Sequence, residues 1–195
     1  MYLYTSCVMT KKELRILYKE KRAAISSKDR LKFDDLMLIQ LQQFDFGNAQ
    51  TLLTYWQMEH EPNMHLYTNY LEYSIYNLQT AYPVADFKNE TMKAILVDDA
   101  TTFETNNYGI TEPQQGAELL PTEIDIVFVP LLIYDKQGFR VGYGKGFYDK
   151  YLSNCRDNVI TIGFNYFEPI EKINDTNEFD IPLNYCITPQ KIYEF

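Results

Sequence analysis

Three glycines, Gly142, Gly144 and Gly146, alternate with Tyr143 and Lys145, behind Arg140 and ahead of Tyr148 and Asp149. They sit inside the stretch 128–152, FVPLLIYDKQGFRVGYGKGFYDKYL. Residues without a Cβ let the backbone turn its amides towards an anion and allow close approach. Arg140 and Lys145 add positive charge, and a helix predicted to start after Gly146 adds the partial charge of its N-terminus. The stretch follows a predicted strand, and α/β sheets bind ligands beyond the carboxyl ends of their strands. A bare alternation of glycines is better explained as a tightly packed turn. With Arg140, Lys145 and Tyr148-Asp149 around it, a phosphate cradle is the better reading.

Two other phosphate motifs are excluded by position. A P-loop needs Gly at 139 and Ser or Thr at 146, where Phe139 and Gly146 stand. A dinucleotide fingerprint starting at Gly142 needs Gly at 147, where Phe147 stands. The run His60-Glu61-Pro62-Asn63-Met64-His65 fails as a zinc-protease motif: the second His falls one position late, and Pro62 disfavours a helix. His60 and His65 read as surface or packing residues. Glu61 keeps its interest because it lies just past a predicted buried strand. No GxSxG occurs.

The elements that must position these residues are legible in outline. Thr10 and Glu13 form a capping box opening a helix over 11–24, with Leu14, Leu17, Ala24 and Ile25 on one side and Lys11, Arg15 and Arg22 on an adjoining strip. Ser26-Ser27 caps a second helix, with Leu31, Leu36, Ile39, Leu41 and Phe44 as its buried candidates. Strands are predicted at 51–56, 93–97, 124–129, 159–164 and 185–188, and helices at 67–78 and 147–152. The runs 93–97 and 124–129 are continuously apolar, as when both sheet faces are covered. Strands alternating with helices predict an α/β fold: a three-layer single domain over 1–195, with a mostly parallel sheet and helices on both faces. No internal repeat or polar linker divides the chain.

Composition narrows the function classes. The chain has 195 residues, a formal charge of −9, 17 Tyr and 12 Phe. Residues 1–32 carry nine Lys/Arg against three Asp/Glu, and the remainder nine against 24. So acidic a chain is a poor non-specific binder of nucleic acid, whereas its basic head can meet a small anion. By itself that head reads as a solvated helix face. Cys7, Cys155 and Cys186 form no CxxC, which argues against a disulfide framework or a cysteine zinc site. The opening MYLYTSCVMTKK does not read as a signal peptide, and no run reaches the ~18 apolar residues of a membrane span. Asn89-Glu90-Thr91 and Asn174-Asp175-Thr176 fit the glycosylation pattern, which carries no meaning without secretion. A cytoplasmic protein, not bound to membrane or nucleic acid, is expected.

Read together in order, these segments resemble the 5-formyltetrahydrofolate cyclo-ligase family, also called 5,10-methenyltetrahydrofolate synthetase. KKELRILYKEKRAAIS resembles the family's opening Lys-x-x-x-Arg helix, and WQMEHEPN its pterin-holding strand end. YGITEP resembles its Gly-Ile-x-Glu-Pro turn, VPLLIYDKQGFRVGYGKGFYD its longest motif, and EFDIPLNYCIT its C-terminal strand region. The chain departs from the pattern at Tyr143, often Arg or Gly in the family, at Phe147, often Tyr, and at Asn184, often a second Asp. Gly163-Phe164-Asn165-Tyr166 follows the family's Gly-x-Ala-Phe only loosely.

The resemblance implies an enzyme that uses ATP to cyclise 5-formyltetrahydrofolate to 5,10-methenyltetrahydrofolate, releasing ADP and phosphate. It implies Lys11, Arg15, Arg140, Gly142, Gly144, Lys145, Gly146 and Tyr148 around ATP, with Lys145 or Arg140 touching the transferred group. It implies Met58, Glu61, Asn63, Tyr143 and Phe147 on the folate side, and Asp149 and Asp180 holding Mg2+. Small-molecule substrates and a monomer complete the expectation. Two alternatives stay open at this point: a nucleotide- or folate-binding protein without turnover, and a phosphosugar or coenzyme A isomerase or transferase on a related sheet.

Overall fold

A computed structural model describes residues 9–195; Cys7 and the opening segment weighed above as a leader lie outside the described residues. The elements in chain order are α1 (Lys11–Ala23), α2 (Ser27–Leu41), β1 (Thr51–Leu53), α3 (Met64–Ser74), β2 (Gln79–Asp86) and β3 (Thr91–Leu96). Then come β4 (Phe103–Thr105), β5 (Thr111–Pro113), β6 (Glu118–Leu119), β7 (Ile126–Phe128), β8 (Ile133–Tyr134) and β9 (Arg140–Val141). The chain closes with α4 (Phe147–Leu152), β10 (Ile160–Phe164), β11 (Tyr185–Ile187) and β12 (Ile192–Glu194).

Eight strands form one sheet in the order β12-β11-β10-β7-β1-β2-β3-β6. The middle strands pair in parallel, β11 with β10, β10 with β7, β7 with β1 and β1 with β2. The outer pairs, β11 with β12, β2 with β3 and β3 with β6, are antiparallel. Because side chains alternate across a strand, each central strand feeds two cores. Leu52, Ile126, Phe128, Ile162 and Phe164 pack with Met37 and Leu41 of α2 and Met64, Tyr67 and Leu71 of α3. Leu53, Val127 and Cys186 face the other way, against Tyr151 and Leu152 of α4. The three-layer α/β arrangement expected from the sequence is what folds.

Several local readings need correction. Residues 79–86 form a strand that the sequence pattern does not announce, and the helix expected at 67–78 runs instead from Met64 to Ser74, ahead of β2. Strand β3 is not covered on both faces: Met92 and Ala94 are buried while Thr91 and Lys93 are exposed. The reason is its place near the sheet edge, antiparallel to its neighbours, with one face left to water. In α2 the buried apolar residues are Met37 and Leu41; Leu31 is 65% and Ile39 51% exposed. Apolar side chains lie all round that helix, so periodicity alone does not choose the face that docks.

Helix α1 opens as expected, the Glu13 amide donating to Thr10 Oγ1 and the Thr10 amide to Glu13 Oε2. It does not cover the main sheet. Its buried Leu14 and Tyr18 pack on Leu132, Ile133, Val141 and Ile173, the first three within or beside the β8–β9 hairpin. That docking brings the basic face of α1 to the glycine stretch. No helix among the described residues is long and apolar enough to cross a membrane.

Candidate active site

Strand β1 lies between β2, to which the chain proceeds through α3, and β7, which pairs on its other side. The connection after β7 carries α4 on the opposite face, so the crossovers diverge between β1 and β7. A crevice at such a divergence, outside the carboxyl ends of the strands, is where open α/β sheets take ligands. A cavity of about 660 Å³ sits there. Tyr55, Trp56, Met58 and Glu61 follow β1 into it, Pro130 follows β7, and the segment 140–149 crosses it.

From the other side α1 contributes Lys11 and Arg15. Arg15 Nε donates to the Gly142 carbonyl at 3.0 Å. Gly144 has φ +98°, and a Cβ there would stand 3.2 Å from Arg15 Cζ. Glycine at 144 is therefore needed twice over, for the left-handed backbone and for the guanidinium that passes it. Lys145 lies exposed between Gly144 and Gly146. It makes no hydrogen bond or ion pair among the described residues, which leaves a cation facing the cavity without a protein partner.

Two further cations of the cavity, Lys11 and Arg140, are engaged. Lys11 Nζ donates to both Asp180 oxygens at 2.5 Å. Arg140, 7% exposed, donates through Nη1 to the Ile181 carbonyl at 2.5 Å and through Nη2 to Asp149 Oδ1 at 2.9 Å. Burial pulls its guanidinium below the ordinary value, and Asp149 works in the opposite direction. Asp149 Oδ1 also accepts from the Ile181 amide, while Oδ2 has no bond among the described residues.

Asp149 and Asp180 both face the cavity, but no group of three His, Cys, Asp or Glu side chains able to hold a metal occurs among the described residues. Such a donor set fits magnesium, which keeps water and phosphate oxygens and needs only one or two carboxylates. It does not build an all-protein cage.

Behind the cavity wall lies Arg22, whose place on the basic strip of α1 suggests a solvated cation. Arg22 is 2% exposed; its Nη2 donates to the Leu131 carbonyl at 2.6 Å, and its Nη1 lies 3.8 Å from Glu61 Oε1. The Tyr143 hydroxyl donates to the same Glu61 oxygen. Glu61 Oε2 accepts from the Met58 amide at 2.7 Å. Burial, and then the Glu61 charge, raise the Tyr143 phenol above its ordinary value, and the Tyr148 phenol likewise. The Tyr148 hydroxyl is buried and has no hydrogen-bond partner among the described residues. The signal for Arg22 was present, since it shares a helical face with Lys11 and Arg15, but nothing in the sequence said that this face was covered.

Of the residues that the resemblance assigns to ATP, folate or magnesium, all but one line this cavity, Phe147 included. Asn63 does not. Its side chain accepts from the Leu66 amide as the N-cap of α3, and its own amide donates to Asp34. Asn63→Ala should accordingly cost about 0.5–2 kcal/mol in stability, read by urea unfolding, and leave ligand affinity unchanged. A loss of folate affinity at unchanged stability would return Asn63 to the site. Asn184 also lies away from the cavity, its Oδ1 accepting from the Thr161 amide and hydroxyl at the start of the β10–β11 pair.

Residues 8–189 match the family model described as the 5-formyltetrahydrofolate cyclo-ligase family. The chain belongs to that family. Among curated cyclo-ligases, that of Haemophilus influenzae is 39% identical over 87 residues, 43% of this chain and 46% of the relative. That of Mycoplasma genitalium is 39% identical over 74 residues, 37% of this chain and 45% of the relative. The cyclo-ligase of Mus musculus is 27% identical over 156 residues, 74% of each chain. The chain thus spans about half the length of the bacterial cyclo-ligases it matches. The NMR structure of Aquifex aeolicus 5,10-methenyltetrahydrofolate synthetase superposes with a TM-score of 0.79 at 22% identity, over 95% of this chain and 93% of that one. The Mycoplasma pneumoniae 5,10-methenyltetrahydrofolate synthetase gives 0.74 at 22% identity, over 93% and 99%. Cyclo-ligase family members therefore share this fold across low identity.

Proposed function

We propose that the chain closes 5-formyltetrahydrofolate to 5,10-methenyltetrahydrofolate at the expense of ATP, as a monomer acting on small molecules in the cytoplasm. The observation that carries this reading is one continuous cavity at the carboxyl ends of β1 and β7. It joins Lys145, which has no partner among the described residues, and the α1 cations on one side to Met58 and a buried Glu61 on the other. One side suits a polyphosphate and the other a polar heterocycle.

The chemistry explains why both are needed together. The formyl group on N5 is an amide, with a poorly electrophilic carbon and an oxygen that does not leave. In the reaction that oxygen bonds to the γ-phosphorus as the bond to ADP breaks. N10 then attacks the formyl carbon, phosphate departs with the oxygen, and N10 loses its proton. Positioning and charge neutralisation are the protein's tasks in such a transfer. Lys145 follows the phosphoryl group, Lys11 and Arg15 hold the remaining phosphates, and Tyr148 offers its hydroxyl. Arg140, committed to Asp149, acts by orienting that carboxylate. Magnesium, arriving with the nucleotide, would be held by Asp149 and Asp180 and supplies neutralisation of phosphate charge.

The test is methenyl product formation, followed by its absorbance, with purified chain, 5-formyltetrahydrofolate and magnesium, with and without ATP. Product that requires ATP and appears with one equivalent of ADP is expected. Ligand binding without product would instead make this a non-catalytic member of the family.

A further inference from the structure

The segment YGITEP is tied to the cavity by Glu112, a carboxylate that the mechanism above leaves unused. Glu112 is 8% exposed and reaches two separate arms. Its Oε1 accepts from the Ala85 amide at 2.7 Å, and its Oε2 from Asn106 Nδ2 at 2.8 Å. Asn106 cannot turn its amide round, because its Oδ1 already accepts from the Tyr108 and Ile110 amides at 2.9 and 3.1 Å. One carboxylate thus fixes the end of β2, which carries Phe87, and the β4–β5 connection, which carries Tyr108. The two rings stack with centroids 3.9 Å apart and planes 18° from parallel, and Phe147 meets the edge of Phe87 at 5.3 Å. Phe87, Tyr108 and Phe147 all line the cavity. Tyr108 is nonetheless 60% exposed, so burial does not hold it there.

We propose that Glu112 is a positioning residue, holding Phe87 and Tyr108 as a preformed wall that seats a flat aromatic ring of a bound substrate. The inference rests on the cyclo-ligase reading for the identity of the substrates. A wall fixed before binding spares the ligand the cost of ordering two loops, and its effect falls on affinity. The β4–β5 hairpin also packs beside the end of β1, Phe103 lying 5.0 Å from Trp56 and 5.1 Å from Tyr82. That places the wall next to Met58 and Glu61, so the ring is that of the folate; adenine is the other ring the assay can find.

Hydrogen-bond polarity supplies the decisive variants. In Glu112→Gln the carbonyl keeps Ala85, but the new amide faces the Asn106 amide, donor against donor, and the Tyr108 arm is released. Adding Asn106→Asp restores the bond with its polarity reversed, since the aspartate can accept from Gln at 112 and still accept from the Tyr108 and Ile110 amides. Steady-state kinetics on the full chain, varying 5-formyltetrahydrofolate and ATP in turn, read the result. Glu112→Gln should raise the KM of one substrate about tenfold, with kcat within about twofold of wild type. The double variant should return that KM to within about twofold, and Tyr108→Ala should reproduce the rise, about tenfold again. A rise for folate places the folate ring on the wall, and a rise for ATP places adenine there.

Tyr108→Ala changes only an exposed ring, so it keeps the test open if the Glu112 variants fold poorly. Unchanged KM values in Tyr108→Ala, or a Glu112→Gln defect that the double variant does not repair while its melting temperature matches wild type, overturn the proposal. Calorimetric titration with 5-formyltetrahydrofolate and with ADP separates the two readings. Binding that is weakened by Tyr108→Ala in a wild type that makes no product sinks the activity but keeps the wall. Turnover with unchanged KM values sinks the wall but keeps the activity.

Discussion

Lys145→Ala is expected to lower turnover by about 10²–10³, a loss of ~2.7–4 kcal/mol of transition-state stabilisation of the size seen when one oriented donor is removed. The structure sharpens this expectation. Arg140 has both terminal nitrogens on Asp149 and Ile181, and Lys11 is paired with Asp180. Lys145 alone of the three has no partner among the described residues, and glycines on both sides leave its long stem free to move with the phosphoryl group. An ammonium is a compact charge on a flexible stem, suited to following a group as it transfers. The loss should therefore fall on kcat, with the KM for ATP rising less and that for folate hardly changing. Steady-state assay of methenyl formation decides it. A variant with full turnover and a raised KM for ATP would make Lys145 a ground-state contact and move the developing charge to another residue.

Arg22→Leu should destabilise the fold by about 3–5 kcal/mol, the cost of stranding one half of a buried ion pair. Arg22 and Glu61 side chains are each only 3% exposed. Removing the guanidinium leaves the Glu61 carboxylate buried with the Tyr143 hydroxyl and the Met58 amide, and also strips the Leu131 carbonyl of its donor. Thermal or urea unfolding reads the loss. Replacing both members, Arg22→Leu with Glu61→Leu, should recover much of the stability, because a buried pair exchanged for apolar side chains is often close to neutral. The double variant should still lose folate affinity, since Glu61 is assigned to that side of the cavity. If the single variant unfolds at the wild-type urea concentration, water reaches the pair and the buried reading of Arg22 is wrong.

The two expectations differ in how they were reached. Lys145 stands out in the chain because its neighbours do: with Arg140 before it and Tyr148-Asp149 after it, a lysine among alternating glycines reads as part of an anion cradle. Arg22 carried no such mark. On a helix whose exposed positions also hold Lys12, Lys19 and Lys21, one more cation looks solvated until the hairpin that covers it is known. Asn63 erred in the other direction. The resemblance of WQMEHEPN to the family puts it on the folate side, yet an Asn ahead of an apolar helical run is also a common N-cap, and that local role is the one it takes. Glu112 shows the same limit, because its two partners, Ala85 and Asn106, belong to different arms of the chain.

What the sequence determined by itself was whatever depends on short separations. The Thr10–Glu13 capping box and the glycine turn over 142–146 are set by contacts within a few residues, and spacing reports them directly. Tertiary structure alone decided the antiparallel edges of the sheet and which side of α2 is buried. It also decided that Arg15 meets Gly142 across 127 residues and that Glu61 meets Tyr143 across 82. These pairings follow from strand order, which turns on how all the apolar faces are covered at once. A periodic pattern says that a face must be buried, but the partner that buries it is chosen by the packing of the whole chain.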